Sequence, residues 1–150
     1  MKKSIICLVI IASSFAAFSQ PYQLGGGLRF DYNLGLDVKY FVNSNAALCG
    51  ILGFGNGLAL TGLYEIHKTL DIKNLYFYYG GGGHVMNNGY NYFDSRYYVG
   101  PSVGINGVVG FEYILKDIPL SLALDLMPII DTNIGFDLFL GITARYLFKK

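Results

Sequence analysis

Apolar and polar side chains alternate with a period of two along most of this chain. In residues 34–42 every even-numbered position is apolar, whereas Asp37 and Lys39 occupy the other face. The same alternation recurs in residues 120–130 and 135–148. Successive side chains of a β-strand point to opposite faces of the sheet. The period therefore predicts strands that have one apolar face and one face of small and polar residues.

Short clusters of Asn, Asp, Gly, Ser and Pro separate the alternating runs and are typical of turns. They divide the chain into eight predicted strands, an even number that is expected of a bacterial single-chain barrel. The predicted strands lie near residues 24–32, 34–42, 46–54, 58–69, 75–86, 98–115, 119–130 and 135–148.

Two of these divisions depend on single residues. The alternation runs almost unbroken from Leu28 to Val42, so the turn at Asn33 decides between eight strands and seven. Pro101 has no N–H for a hydrogen-bond ladder and is predicted to mark the start of the sixth strand.

The longest predicted connection, from Met86 to Tyr97, is rich in tyrosine. The aromatic residues 90–98 either bind a surface partner or cap the mouth of the barrel.

The first residues have the pattern of a secretory signal peptide. Lys2 and Lys3 precede an apolar stretch that begins at Ile5, and residues 17–19 form a small-x-small cleavage site. The apolar stretch is too short for a membrane anchor. We therefore expect residues 1–19 to be a signal peptide and residues 20–150 to be one barrel domain.

Composition narrows the function classes. Charged residues make up 14% of the chain and apolar residues 53%, and the formal charge of +1 becomes −1 once Lys2 and Lys3 are removed. No basic face for nucleic acid remains, and Cys49 is left without a second cysteine for a disulfide. The mature chain has no apolar run of about 18 residues that could form a transmembrane helix. An exported apolar chain of this kind is either a soluble β protein or a closed membrane barrel, because lipid tolerates no unpaired strand edge.

The minority face carries few charges and many glycines, which suits the narrow interior of an eight-stranded barrel better than a water-exposed surface. We expect Arg29, Lys39 and Arg145 to pair there with acidic residues, because an isolated buried ion is costly. The predicted interior polar network comprises Arg29, Lys39, Glu65, His67, His84, Asn106, Glu112, Asp125 and Arg145.

Five tyrosines lie on the apolar face near strand ends, where aromatic girdles of membrane barrels meet the lipid headgroups. The alternative interpretation is that they are ordinary sheet aromatics. The predicted girdle comprises Tyr40, Tyr64, Tyr79, Tyr113 and Tyr146.

The sequence contains parts of catalytic, metal-binding and phosphate-binding motifs, but none of these motifs is complete. Glu65, His67 and His84 could form a catalytic or metal cluster, but no nucleophile with an oriented base and no third strong ligand lies nearby in the sequence. Gly80–Gly83 lacks the Lys-Ser/Thr pair and the helix of a phosphate loop. We therefore predict no enzyme activity, no cofactor and no metal.

Several segments in combination resemble the small outer-membrane β-barrel proteins of the OmpX/OmpA-like type. They include Gly-Leu-Arg-Phe at 27–30, Leu-Thr-Gly-Leu-Tyr-Glu-Ile-His at 60–67 and Val-Gly-Ile-Asn-Gly-Val-Val-Gly-Phe-Glu-Tyr at 103–113. The resemblance extends over essentially the whole mature chain. It implies an all-β, closed, antiparallel up-and-down transmembrane barrel of eight strands and no enzyme activity. Cys49 and Asn106 depart from it, since such proteins often carry Glu and Asp at these positions.

The last strand resembles the C-terminal strand that the barrel insertion machinery reads. Tyr146 and Phe148 fit its alternating aromatic pattern, although Thr143 stands where glycine is expected and Lys149 and Lys150 follow.

The leading prediction is a monomeric barrel in the outer membrane of a Gram-negative bacterium. It is expected to have a structural or surface-interaction role and a lumen filled by side chains. Its expected partners are outer-membrane lipid, lipopolysaccharide and the insertion machinery. The alternatives are a soluble periplasmic lipocalin-like ligand-binding barrel and a lipid-modifying barrel enzyme.

Overall fold

The computed structural model describes residues 22–148, which form one closed antiparallel β-barrel. Each strand pairs with its sequence neighbours, and the first strand closes the barrel against the last. The predicted fold class and the eight strands are thereby confirmed, whereas the predicted signal peptide lies outside the described residues. The strands are β1 (Leu24–Phe30), β2 (Leu34–Phe41), β3 (Ala46–Phe54), β4 (Leu58–Thr69), β5 (Leu75–Asn91), β6 (Arg96–Ile114), β7 (Leu120–Asp131) and β8 (Gly135–Phe148).

The turn at Asn33 separates β1 from β2. The backbone N–H of Asp31 donates to the carbonyl oxygen of Asn33 at 3.1 Å. The Asn33 N–H donates in turn to Oδ1 of Asp31 at 2.9 Å. Asp and Asn favour such turns because their short side chains bond to nearby backbone. Because this turn ends β1 before β2 begins, the barrel has eight strands and not seven.

The prediction for the β5–β6 connection is wrong. β5 continues to Asn91 and β6 begins at Arg96, so that only residues 92–95 connect them. Pro101 lies inside β6, at a register irregularity, and does not start the strand. The paired residues on either side are Asn88 with Val99 and Met86 with Ser102. Pro101 interrupts no ladder hydrogen bond at this bulge, which is where a sheet tolerates proline.

The barrel has two distinct ends. The end at which the chain enters at Tyr22, together with the β2–β3, β4–β5 and β6–β7 connections, is called the lower end here. The other four connections lie at the opposite end, which is called the mouth. Among residues 22–148, no helix is long and apolar enough to cross a membrane.

The apolar face of the strands points outward. In β8, Leu140 and Ile142 are 58% and 52% exposed, whereas Thr143 and Arg145 are 0% and 1% exposed. The interior holds both the charged residues and two apolar clusters. The lower cluster surrounds Tyr22, and the upper one includes Ile51, Leu63, Val108, Met127, Ile129 and Phe139.

Candidate functional site: the barrel interior and its mouth

The nine residues of the predicted interior polar network are all buried, with at most 7% of each residue exposed. Alternate positions of the strands place their side chains inside the closed sheet. They do not form one continuous network. They occupy a lower group, a middle pair and an upper group near the mouth.

Ion pairs dominate the lower group. The ammonium of Lys39 lies 2.7 Å from Oε2 of Glu65 and 3.7 Å from Oε2 of Glu112. Arg145 donates from Nη1 to Oε1 of Glu112 at 3.1 Å. Its Nε and Nη2 donate to both carboxylate oxygens of Asp37. Bidentate guanidinium–carboxylate pairing is strong and directional, so Arg145 links two acids from β2 and β6.

Aromatic groups and hydroxyls complete the lower group. Nε2 of His67 lies 3.0 Å from Oε2 of Glu65, and the His67 ring stacks on Tyr78 at 5.1 Å between centroids. The hydroxyl of Tyr22 donates to the Glu112 carboxylate at 3.0 Å. Burial and the neighbouring Glu112 carboxylate raise the pKa of Tyr22 well above its ordinary value. Tyr22 therefore stays neutral and closes the lower end of the interior.

Arg29 and Asp125 form the middle pair. Nη1 and Nη2 of Arg29 lie 2.8 and 2.6 Å from the two carboxylate oxygens of Asp125. The Tyr78 hydroxyl donates to the same carboxylate at 2.6 Å. Gly141 makes room for the pair, since a Cβ at that position would lie 2.8 Å from Oδ1 of Asp125 and would also overlap Arg29.

The structure thus brings each predicted cation to a predicted acid: Arg29 to Asp125, Lys39 to Glu65 and Arg145 to Glu112. Sequence reasoning put Asp37 on the polar face but did not assign it to the network. Asp37 lies two residues before Lys39 and therefore shares its face of the strand, which was the signal that could have added it to the network. Among the described residues, three Lys or Arg side chains are buried, against six buried carboxylates: Asp37, Glu65, Glu112, Asp125, Asp131 and Asp137.

Cys49 and Asn106, which depart from the pattern of the resembling barrels, both have hydrogen-bond partners in the interior. The Cys49 thiol donates to Oδ2 of Asp37 at 3.3 Å. Oδ1 of Asn106 lies 2.5 Å from Nδ1 of His84, and its Nδ2 donates to the sulfur of Met127 at 3.2 Å. A glutamate at position 49 would add a carboxylate beside Asp37, in an interior where buried acids already outnumber Lys and Arg.

The upper group centres on His84. Its Nε2 lies 3.0 Å from Oδ2 of Asp131, and Ser102 also bonds to that carboxylate. Both ring nitrogens of His84 have other partners, Asn106 and Asp131, whereas activation of a nucleophile needs a direct bond between hydroxyl and base. The arrangement positions His84 without preparing Ser102 for attack.

Glu65, His67 and His84 are not brought together as one cluster. His84 pairs across the sheet with Thr61, four residues from Glu65 along β4, which is about 13 Å at ~3.3 Å per residue. Among the described residues, no group of three or more His, Cys, Asp and Glu side chains could hold a metal ion.

A small cavity of about 30 Å³ lies beneath the mouth and is large enough to hold a water molecule. Polar atoms line one part of it and apolar side chains the rest. Its lining includes Asp31, Thr61, His84, Asn106, Met127 and Phe139.

The five tyrosines of the predicted girdle lie on the outer wall and are 36–49% exposed. All of them are toward the lower end: Tyr40 pairs with Leu24 at the start of β1, and Tyr113 pairs with Leu75 at the start of β5. They therefore form a belt at one end of the barrel. Their contact with lipid headgroups remains a prediction.

No protein-family model matches the chain, and no curated protein is similar to it at a significant level. Among solved structures, it is similar to the N-terminal β-barrel domain of Pseudomonas aeruginosa OprF. That similarity has a TM-score of 0.62 at 14% sequence identity and covers 83% of this chain and 95% of the OprF domain chain. At this identity the likeness concerns the backbone, so the chain shares the eight-stranded barrel fold of the OprF domain.

Proposed function

We propose that this protein is an integral outer-membrane β-barrel of a Gram-negative bacterium, monomeric and with a structural or surface-interaction role. The outward-facing wall carries the proposal. Among the described residues, the charged side chain on the outer face of the strands is Lys68, near the end of β4. Arg96, at the start of β6, pairs with the buried Asn91 and shares its face. A soluble protein rarely exposes so large an apolar surface, whereas hydrocarbon requires one and also requires a sheet without free edges.

The lipocalin-like alternative needs the opposite arrangement. A soluble ligand-binding barrel keeps its apolar face inside and its polar face in water. Here Arg29, Lys39 and Arg145 are inside, and leucines such as Leu60 and Leu140 are 55% and 58% exposed on the outside. This arrangement favours the membrane interpretation.

Contacts across the interior support a structural role, with a lumen filled by side chains, over transport. Ion pairs connect β2 with β4 through Lys39 and Glu65, and β1 with β7 through Arg29 and Asp125. Apolar clusters lie on both sides of the lower group. Barrels of eight strands have interiors that side chains just fill. Lipid and lipopolysaccharide are the proposed surroundings, and the insertion machinery is the proposed partner of β8.

Fractionation of cells tests the proposal. The protein should stay in carbonate-washed outer membranes, and its gel mobility should change on heating. Purified protein in planar bilayers should give no stable single-channel conductance. Recovery in the soluble periplasmic fraction would reject the membrane location. A stable conductance would reject the filled lumen and leave the location standing.

A further inference from the structure

The upper part of the β5–β6 hairpin, residues 88–99, is separated from the barrel wall by a break in the ladder. Met86 pairs with Ser102 and Asn88 pairs with Val99, with a register shift between them. Gly100 has a φ of +112°, in the region that favours glycine. Pro101 has no N–H to donate. Asn87 on β5 and both Gly100 and Pro101 on β6 thus have no ladder partner. One hydrogen bond, from the Gly100 N–H to Oδ1 of Asn88 at 3.0 Å, bridges the strands at this level. Residues 88–99 are called the lid below.

Hydrogen bonds from a few groups fasten the lid to β8 and to the turn before it. The buried side chain of Asn91 donates from Nδ2 to the carbonyl oxygens of Ile134 at 2.7 Å and Phe136 at 3.2 Å. The N–H of Tyr92, the first residue of the lid turn, donates to Oδ2 of Asp137 at 2.7 Å. Asp137 is fully buried and reaches the lid directly from the barrel wall.

Aromatic contacts seat the lid on the mouth. The ring of Tyr92 lies 5.8 Å from that of Tyr32 and 6.2 Å from that of Phe139, between centroids. Tyr32 and Phe139 are themselves 4.2 Å apart. Burial, followed by the nearby Asp31 carboxylate, raises the pKa of Tyr32 above its ordinary value, because water is excluded from its hydroxyl.

The lid also contacts the β3–β4 turn. The hydroxyl of Tyr97 donates to the carbonyl oxygen of Asn56 at 2.7 Å. Residues 88–99 therefore meet the other three connections of the mouth: Tyr32 in the first, Asn56 in the second and Ile134 in the last. The cavity of about 30 Å³ lies at this end of the interior, lined in part by Tyr32 and Phe139.

We propose that residues 88–99 are a hinged lid that closes the mouth and opens by rotation at Gly100 and Pro101. Its fastenings above the hinge are individual bonds, each of which water can replace, whereas β5 and β6 below the hinge share an unbroken ladder from Met86 to Leu75. Tyr92 is 48% exposed, so its ring is the part of the lid that lies between solvent and the rings of Tyr32 and Phe139. Opening admits water and small solutes to Asp31, Thr61 and His84. The upper apolar cluster still closes the interior beneath.

The lid depends on contacts at the mouth and not on what surrounds the barrel wall. A failure of the membrane proposal would therefore leave it intact, and the reverse also holds.

Thiol labelling tests the opening. Thr61 lines the cavity, and Thr61→Cys, with Cys7 and Cys49 replaced by alanine, provides the sole thiol. With the barrel folded, a water-soluble maleimide should label this thiol at least about tenfold more slowly than Asp94→Cys on the exposed lid turn. Tyr92→Ala removes the ring contacts with Tyr32 and Phe139, and Asp137→Ala removes the acceptor of the Tyr92 N–H. Each variant should raise the Thr61→Cys labelling rate about tenfold or more.

Two matched variants serve as controls. Asp137→Asn keeps an acceptor oxygen for the Tyr92 N–H and should restore the slow rate. Val99→Ala shortens a side chain on the same lid that is 78% exposed, and should not alter the rate. Equal rates at Thr61→Cys and Asp94→Cys, or no acceleration in Tyr92→Ala and Asp137→Ala, would overturn the lid.

Hydrogen exchange of the unmodified chain decides the matter if the alanine variants fail to fold. The amides of residues 96–99 should then exchange as a separate group, about tenfold or more faster than those of residues 102–112. Exchange of both segments at one rate would show that the hairpin opens only with the barrel and would refute the hinge.

Discussion

Arg29 and Asp125 pair through two hydrogen bonds across the interior, although β8 lies between their strands in the sheet. The pair is buried, with side chains 2% and 1% exposed. Its closure depends on Gly141 of β8, which has no side chain at the point where Arg29 passes over it. The contact between Arg29 and Asp125 thus requires a glycine at position 141 of the intervening strand.

Asp125→Ala should destabilise the barrel strongly. Arg29 would keep the Asp31 carboxylate, whose Oδ2 lies 3.1 Å from Nε, and the Thr143 hydroxyl, 3.3 Å from Nη1. The Tyr78 hydroxyl would lose its acceptor. Removing one partner of a buried pair costs about 3–5 kcal/mol. The urea midpoint in detergent should fall accordingly. Asp117→Ala, in the exposed β6–β7 connection, is the control and should leave the midpoint unchanged.

Replacing both partners should cost less than replacing one. The double variant Arg29→Met and Asp125→Leu removes the buried charge together with its counterion, so neither is left unpaired. Its urea midpoint should lie above that of Asp125→Ala. A double variant less stable than the single one would contradict the assignment of the loss to an unpaired guanidinium.

Gly141→Ala should destabilise the barrel through a steric effect. The new Cβ would lie 2.8 Å from Oδ1 of Asp125 and would displace the Arg29 guanidinium. Overpacking of this kind costs about 1–3 kcal/mol. Gly50→Ala is the matched control, because a Cβ there meets nothing within 4 Å. Equal urea midpoints for the two alanine variants would argue against the steric role of position 141.

Glu112→Ala should weaken the lower group. Arg145 and Lys39 would each lose one acid, and the hydroxyls of Tyr22 and Ser121 would lose their acceptor. Arg145 keeps Asp37 and Lys39 keeps Glu65, so the expected loss is that of buried donors left without an acceptor, about 1–3 kcal/mol. Glu112→Gln keeps an acceptor oxygen and should recover part of the loss. An unchanged unfolding midpoint for Glu112→Ala would remove Glu112 from the stabilising group.

Leu124→Lys tests the surroundings of the outer wall. Leu124 is 50% exposed near the middle of β7. A lysine at the midplane of a bilayer costs about 2–4 kcal/mol, so folding into lipid vesicles should weaken by that amount. Asp117→Lys at the β6–β7 connection should have little effect. If both lysine variants fold into vesicles as well as the parent, the apolar wall does not contact hydrocarbon.

The sequence alone was sufficient for the strands and their two faces, because alternation is a local property of an extended chain. β3, β4 and β8 begin and end where the pattern predicts. The burial of Arg29, Lys39 and Arg145 also follows, because the parity of a position decides its face. The turn at Asn33 was ambiguous in sequence because a polar residue between two alternating runs also fits a continuous strand.

Tertiary structure decided which inward residues meet. The pairing of Arg145 with Asp37 joins strands that are far apart in the chain, and their relative height depends on the register of the closed barrel and not on either strand by itself. The same holds for Gly141 beneath Arg29. The sequence predicted a long loop where the lid lies, because a proline is locally expected to end a strand. The bulge instead lets β6 continue past Pro101, so that Tyr97 of β6 reaches Asn56 and Tyr92 of the turn before it reaches Asp137.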